Sequence, residues 1–536
     1  MTTESLEVAE FLPDQHSEEH IAPEQDTPPR IALSCMLLIA IVALCDVVIY
    51  RGAGFAGYTL LFGLLPLLMA VQSLQRPNRR SLLLTILIGL VAVDLIWCGS
   101  WLSVAAGFLL LPALALSLTG RAPYVFDAVN TLAQLVPGGF LALTRYFPAM
   151  IRVRGTPRAD RVVAVVVPAV AISMFAVVFA LANPDMISWI SETLTHGIRR
   201  LRTWLLNFGP TPSEVGFWFV VAWLAGGLLR LLRMTPPAQH ASQVADEPSE
   251  KTASPLYETH RNTLAGLVVL FAVYLAYEFT ALWGREFPLG FHYSGYAHEG
   301  AAWLTLALAM ATAVLSFVFA GRTLADPRLH VLRKWGNLWA IENLFLAVAV
   351  YHRLHIYIGF NGMTRMRVVG ILGISAVVAG LLLVLWKIRR RYSFFWLVQR
   401  DLWVLALAMY AYCVLPVDWL TTNYNVRRIL AGDPAPSVQI SVHPLTAEGF
   451  LQLTPLLQSD DALIREGVRS MLALELGKLD EHHGNVNDRH WSEFQIADRQ
   501  LHDQLGQLRG DLAAYDDPLA RNSARDAFDA YAYQWY

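Results

Sequence analysis

The chain has 536 residues, of which 55% are hydrophobic and only 16% charged, with 16 Trp against 4 Cys and a mean hydropathy of +0.42. That balance excludes a large soluble protein and points to an integral membrane protein. A formal net charge of -2 gives no electrostatic reason to expect nucleic acid, and the cysteines have no zinc-type spacing.

Residues 1–30 form an acidic, Pro-containing stretch in which Arg30 is the sole Lys or Arg. It lacks the basic n-region of a signal peptide, and its low hydrophobicity predicts a disordered tail. Apolar runs at 31–50, 55–75, 81–98 and 101–119 approach the ~20 residues that a helix needs to cross ~30 Å of hydrocarbon, and read as two hairpins of spanning helices. The next stretch, YVFDAVNTLAQLVPGGFLALTRYF, is apolar enough to touch lipid. Asp127, Asn130, Gln134 and the Pro137-Gly138-Gly139 break argue against a clean span, so an interfacial or re-entrant segment is expected. Residues 162–182 read as a fifth span. After Asn183-Pro184, the spacing of Ile187, Ile190, Leu194, Ile198, Leu201 and Leu205 predicts an amphipathic helix over 185–206 lying on the membrane surface.

A sixth span is expected at 214–233, followed by a polar linker over 234–261. Further spans are expected at 262–283, 300–320, 335–357, 365–387 and 396–419. The prediction is an all-α polytopic membrane protein of about eleven spans, in a first transmembrane section (31–233) and a second (262–419). Cys35, Cys45, Cys98 and Cys413 all fall in apolar runs and read as packing residues. Beyond residue 420 the chain turns polar with helical periodicity, predicting a C-terminal helical extramembrane region over 420–536.

Lys and Arg in short loops stay on the cytoplasmic side. Loops after even-numbered spans hold Arg76, Arg79 and Arg80, then Arg230 and Arg233, then Arg328, Arg333 and Lys334, then Lys387, Arg389, Arg390 and Arg391. Loops after odd-numbered spans hold fewer. The expected topology has a cytoplasmic N-terminus and an extracytoplasmic C-terminus.

Ionisable residues in spans mark candidate sites, because a charge at the bilayer centre costs roughly 2.5–3.5 kcal/mol even on the lenient insertion scale. Under the expected topology Glu278, Tyr296, His298, Glu299, His352, Arg353, His355 and Tyr357 gather at the outer face. Glu278 or Glu299 is the expected partner of Arg353, with Tyr296 and Tyr357 supplying hydroxyls. Glu342 lies deeper, beside Asn343, and suits either an interhelical hydrogen bond or a proton relay. Asp46, Asp94 and Asp418 lie near span ends, where an ion pair or snorkelling suffices. His352 and His355 at i,i+3 are weak metal candidates, since HxxH lacks the Glu of HExxH; His482, His483, His490 and His502 read as solvated surface. The C-terminal region shows no nucleophile elbow, no Walker loop and no dinucleotide fingerprint after a strand, and no cofactor is expected.

Several stretches together resemble a bacterial multi-pass inner-membrane family, domain of unknown function 4173, related to the 4153 group. FALANPDMISWI is similar to its LFASADPVF segment, YSGYAHEGAAWL to YaeYAreGF, and YHRLHIYIGFNGMTRMRVVGIL to RlrLYvdaYGLTrLR; NYNVRRIL also resembles it. The matching positions are Asn183 and Pro184; Tyr296, Ala297, Glu299 and Gly300; Arg353, Leu354 and Tyr357; Gly362, Thr364 and Arg367; and Asn425 and Arg428. Phe360-Asn361 and Met363 depart from the pattern. The resemblance implies a polytopic bacterial inner-membrane architecture and no assigned activity.

Two function classes follow. One is a non-enzymatic scaffold, sensor or assembly factor of the bacterial cell envelope, in contact with the lipid bilayer and with an envelope protein partner through the C-terminal region. The alternative is a transporter or lipid-modifying enzyme that uses the outer-face cluster. The first is preferred because no catalytic constellation stands out.

Overall fold

The computed structural model describes residues 28–73, 77–152, 210–233, 254–283, 293–319, 323, 326–484 and 490–536. Residues 1–27 of the expected acidic tail, the fifth span (162–182), the surface helix (185–206) and most of the 234–261 linker lie outside these residues, while 28–30 belong to the first helix. The described residues are all-α. In the first section α1 (Pro28–Cys45) runs into a π-helical turn (Asp46–Tyr50), followed by α2 (Phe55–Gln72), α3 (Arg79–Cys98), α4 (Trp101–Leu118), α5 (Val125–Arg152) and α6 (Pro212–Leu231). In the second, α7 (Tyr257–Tyr277) runs into another π-helical turn (Glu278–Leu282), followed by α8 (Tyr293–Val318), α9 (Leu329–Asn361), α10 (Arg365–Arg390) and α11 (Phe394–Val414).

Among the described helices, nine are long and apolar enough to cross a membrane: α1 to α4, α6 to α8, α10 and α11. The expected ninth span is α9, a helix of 33 residues packed against α7, α8 and α10. Its polar residues as a whole, Asn, His and Tyr as well as the charges, leave it less apolar than those nine, yet Glu342, Asn343 and Arg353 are buried among its neighbours. Side-chain caps start the helices where the sequence offers them. Asn78 and Ser81 form a capping box on α3, Thr211 and Glu214 another on α6, and Ser100, Thr364 and Ser393 cap α4, α10 and α11.

The structure corrects the reading of α5. The Pro137-Gly138-Gly139 stretch is no break in a re-entrant segment but the middle of an uninterrupted helix of 28 residues, about 42 Å at ~1.5 Å per residue. The glycines explain why. A Cβ on Gly139 would stand 2.1 Å from the Trp223 ring, and one on Gly227 2.4 Å from the Leu135 carbonyl, so α5 and α6 pack in close antiparallel contact. The Trp223 indole donates to the Val136 carbonyl at 2.6 Å, adding a tie beside the proline.

The bundle has two distinct ends. At one, which we call the basic end, lie Arg79, Arg80, Arg233, Arg328, Arg333 and Arg389, and the Arg233 guanidinium donates to the Arg30 carbonyl at the start of α1. At the other, Tyr50 at the close of α1 shares hydrogen bonds with Thr211 and Ser213 at the start of α6. The C-terminal region covers this second end. The last span ends at Val414, earlier than the expected 419, because Leu415-Pro416 turns the chain into α12 (Val417–Leu430). Then come α13 (Ser437–Val442), α14 (Ala447–Phe450), α15 (Ala462–Gly484), α16 (Ile496–Gln507), α17 (Arg509–Leu512) and α18 (Pro518–Ala532). Val438, Leu453, Val468, Leu472, Leu505 and Phe528 form its own apolar core.

Candidate functional site

Arg353, the one arginine of the expected cluster, is buried, and its partner is Glu278. Its Nε donates to Glu278 Oε1 at 3.0 Å and its Nη2 to Oε2 at 2.6 Å, with side-chain exposures of 8% and 1%. This bidentate fork suits the planar guanidinium. Tyr274, one turn before Glu278 on α7, donates its hydroxyl to Oε2 at 2.9 Å and accepts from Arg353 Nη2 at 3.3 Å. Glu278 opens the π-helical turn, an irregularity that recurs at functional positions. Gly300 on α8 closes the third side, where a Cβ would stand 2.2 Å from Arg353 Nη1.

The structure describes the remaining candidates in part. Tyr296, His298 and Glu299 lie in the first two turns of α8, and their side chains fall outside the described part. Tyr357, expected to serve Arg353, instead lies under the Arg367 guanidinium at 3.8 Å from its ring centroid. Tyr274 supplies a hydroxyl to the Arg353 pair, a residue that the i,i+4 spacing to Glu278 offered and the expected cluster did not include. His352 stacks on Trp283 with centroids 4.2 Å apart, while His355 is exposed. Among the described residues, no three His, Cys, Asp or Glu side chains converge on a point that could hold a metal. Glu342 is buried with Oε2 meeting no donor among the described residues, and so are Asn343 Oδ1 and Asp401 Oδ1 with respect to polar partners.

Asp46 repeats the theme in the first section. It opens the π-helical turn after α1, accepts from the Trp218 indole at 2.7 Å, and pairs at 3.0 Å with Arg51, which also binds Glu214.

A second polar centre joins the bundle to the C-terminal region. Asp418, expected at the end of a span, is buried in α12, where it takes both arms of Arg365 and the backbone N–H and hydroxyl of Thr446 at 3.0 and 2.8 Å. Burial pushes its carboxyl up, but these hydrogen bonds prevail and hold it below the usual range. Glu448 accepts from the backbone N–H groups of Asp418 and Trp419, at 3.1 and 3.4 Å, capping α12 from another element, and from the Trp97 indole at 3.2 Å. Burial raises its carboxyl above the usual range, the nearby Asp418 charge adds to the rise, and the hydrogen bonds offset only part.

The seat continues across the bundle end. Arg428 donates to the Ile358 and Gly359 carbonyls, both at 2.7 Å, and Arg367 to the Gly362 carbonyl and Asn361 side chain, so two cations meet the carboxyl end of α9. Asn425 pairs with the Met363 backbone, accepting at 2.7 Å and donating at 2.9 Å. Gly362, at φ +100°, makes this turn, and a Cβ there would meet Asn425 Oδ1 at 2.4 Å. On the far side Ser492 Oγ accepts from the Ala53 and Gly54 N–H groups at the start of α2.

No curated protein and no solved structure matches the chain. The sequence model of Domain of unknown function (DUF4153) matches residues 38–447, running from α1 through the bundle to Glu448's neighbour Ala447. It is the 4153 description that matches, the related group named beside the 4173 resemblance. The chain belongs to the DUF4153 family.

Proposed function

We propose that this protein is a non-enzymatic scaffold or sensor of the bacterial cell envelope, with the basic end of its bundle in the cytoplasm and the C-terminal region outside, at the inner membrane. The observation that carries this reading is the seat. The C-terminal helices are fixed to the ends of α2, α9 and α10 by charged and backbone hydrogen bonds, as a rigid platform for a partner is and a tethered module is not. The orientation is supported by the basic residues at the other end. Photocrosslinking in cells from exposed positions of the platform, such as Leu519, is expected to trap one discrete envelope protein, and trapping is lost when Arg428→Met loosens the seat. Absence of any specific adduct from several platform positions overturns the reading.

A second reading, transport or lipid modification, is favoured by the buried Arg353–Glu278 pair beside a π-helical turn and by Glu342 within the bundle. Arg353→Met and Glu278→Gln, singly and together, separate the two. A double variant that recovers both stability and complementation of a deletion strain makes the pair a clamp. Recovered stability with lost complementation makes it a site.

A further inference from the structure

Helix α12 buries several polar side chains and leaves a flank of large apolar ones exposed. Asp418, Thr421, Thr422 and Asn425 are buried, whereas Leu415 just before the helix and Trp419, Leu420, Tyr424 and Leu430 on it are exposed, with Arg427 among them. In water such a face would expose large apolar side chains along a whole helix.

The position of the helix says what covers it. Near its start Asp418 binds Arg365, the first residue of α10, and ten residues later Arg428 binds carbonyls in the last turn of α9. Both partners are ends of bundle helices at the same end. The 14 residues of α12, about 21 Å at ~1.5 Å per residue, therefore bridge the start of α10 and the end of α9. One flank rests on the bundle through Asp418 and Asn425. Another faces the C-terminal core through Val426 and Ile429, leaving the Trp419–Leu420–Tyr424 flank directed sideways at the depth where the spans end. Met366 in the first turn of α10, beside Arg365, and Leu407 and Met409 on α11 are exposed apolar residues of the bundle as well. A second contact of the same kind lies across the region. The turn at Trp491–Glu493 is seated at the start of α2 through Ser492 and leaves Trp491 and Phe494 exposed, and there Phe55, the first residue of α2, meets Trp101, the first residue of α4, with ring centroids 5.3 Å apart.

We propose that α12 is an interfacial helix whose Leu415-to-Leu430 flank is immersed in the lipid headgroup region, and that Trp491 and Phe494 anchor the opposite side of the C-terminal region in the same layer. Aromatic side chains favour that layer, and an apolar flank carrying one arginine fits the boundary between acyl chains and phosphates. The inference rests on the bundle being embedded, not on the scaffold reading.

The test uses the full chain in nanodiscs of phosphatidylethanolamine and phosphatidylglycerol, with p-benzoylphenylalanine placed one position at a time. Leu420 and Tyr424 are the test positions, Leu67 on the bundle surface of α2 is the lipid-exposed control, and Leu519, 79% exposed on α18, is the aqueous control. Irradiation is expected to give phospholipid adducts at 420, 424 and 67 and none at 519. Lipid adducts at 67 but not at 420 and 424, or adducts there to a second copy of the chain, overturn the proposal.

Discussion

Gly300 explains how a guanidinium can lie between three helices: hydrogen in place of a methyl group leaves the space that Arg353 Nη1 fills. Gly300→Ala is expected to push the guanidinium off Glu278 and to lower the thermal stability of the purified protein, while Gly266→Ala, with open space around it, leaves stability unchanged or raised. Arg353→Met alone leaves a buried carboxylate without its cation, a loss that typically costs ~3–5 kcal/mol; adding Glu278→Gln should return most of it. Equal melting temperatures for the single and double variants would show that the pair does not couple. The pairing itself was partly legible in the sequence, because an arginine within a span requires a carboxylate and only a few stand at the right depth. The choice between Glu278 and Glu299 was not legible, since it depends on how α7 and α9 cross and on the π-helical turn that re-aims Glu278.

Among the elements, α12 and α14 meet through two carboxylates shifted in opposite directions, which gives the seat a signature in pH. Asp418 is held below the usual range, so its contribution is present above the ordinary carboxylate value and is lost as pH falls through its own lower value. Glu448 is raised, so its contribution is present below the ordinary value and is lost as pH rises through its higher one. Hydrogen exchange of the α12 and α14 amides should therefore be slowest in the ordinary carboxylate range and quicken, after correction for intrinsic rates, on either side. Glu448→Gln should flatten the alkaline flank at a cost of about 1 kcal/mol for the bond to Trp97, and Asp418→Asn the acid flank. Unchanged flanks in both variants would mean that other groups set the profile. None of this was legible beforehand: Glu448 sits in an ordinary polar stretch, and only the fold brings it to the unfilled start of α12. The misreading of α5 has a related cause, because Pro-Gly-Gly breaks an isolated helix but serves here as a surface for α6.

For the whole molecule, the two sections follow one plan. α2, α3 and α4 pack on one another as α8, α9 and α10 do, α4 meets α5 as α10 meets α11, and α1 and α7 each end in a π-helical turn opened by a buried acid bound to arginine. They differ in the first helix, which packs on α6 in the first section and on α9 in the second. Hydropathy made the spans legible one by one, but this correspondence is a matter of packing order and leaves no simple repeat in the residues. The plan also places the start of α1 and the C-terminal region at opposite ends of the bundle, joined through Arg233 with Arg30 at one end and Ser492 with Gly54 at the other. Since arginines crowd the end away from the C-terminal region, retention of basic loops predicts that end to be cytoplasmic. Alkaline phosphatase fused after Tyr536 should be active, and the same enzyme fused at Ala245, beyond α6, inactive. The reciprocal pattern would invert the whole protein in the membrane, and activity at both sites would mean that the basic loops do not set its orientation.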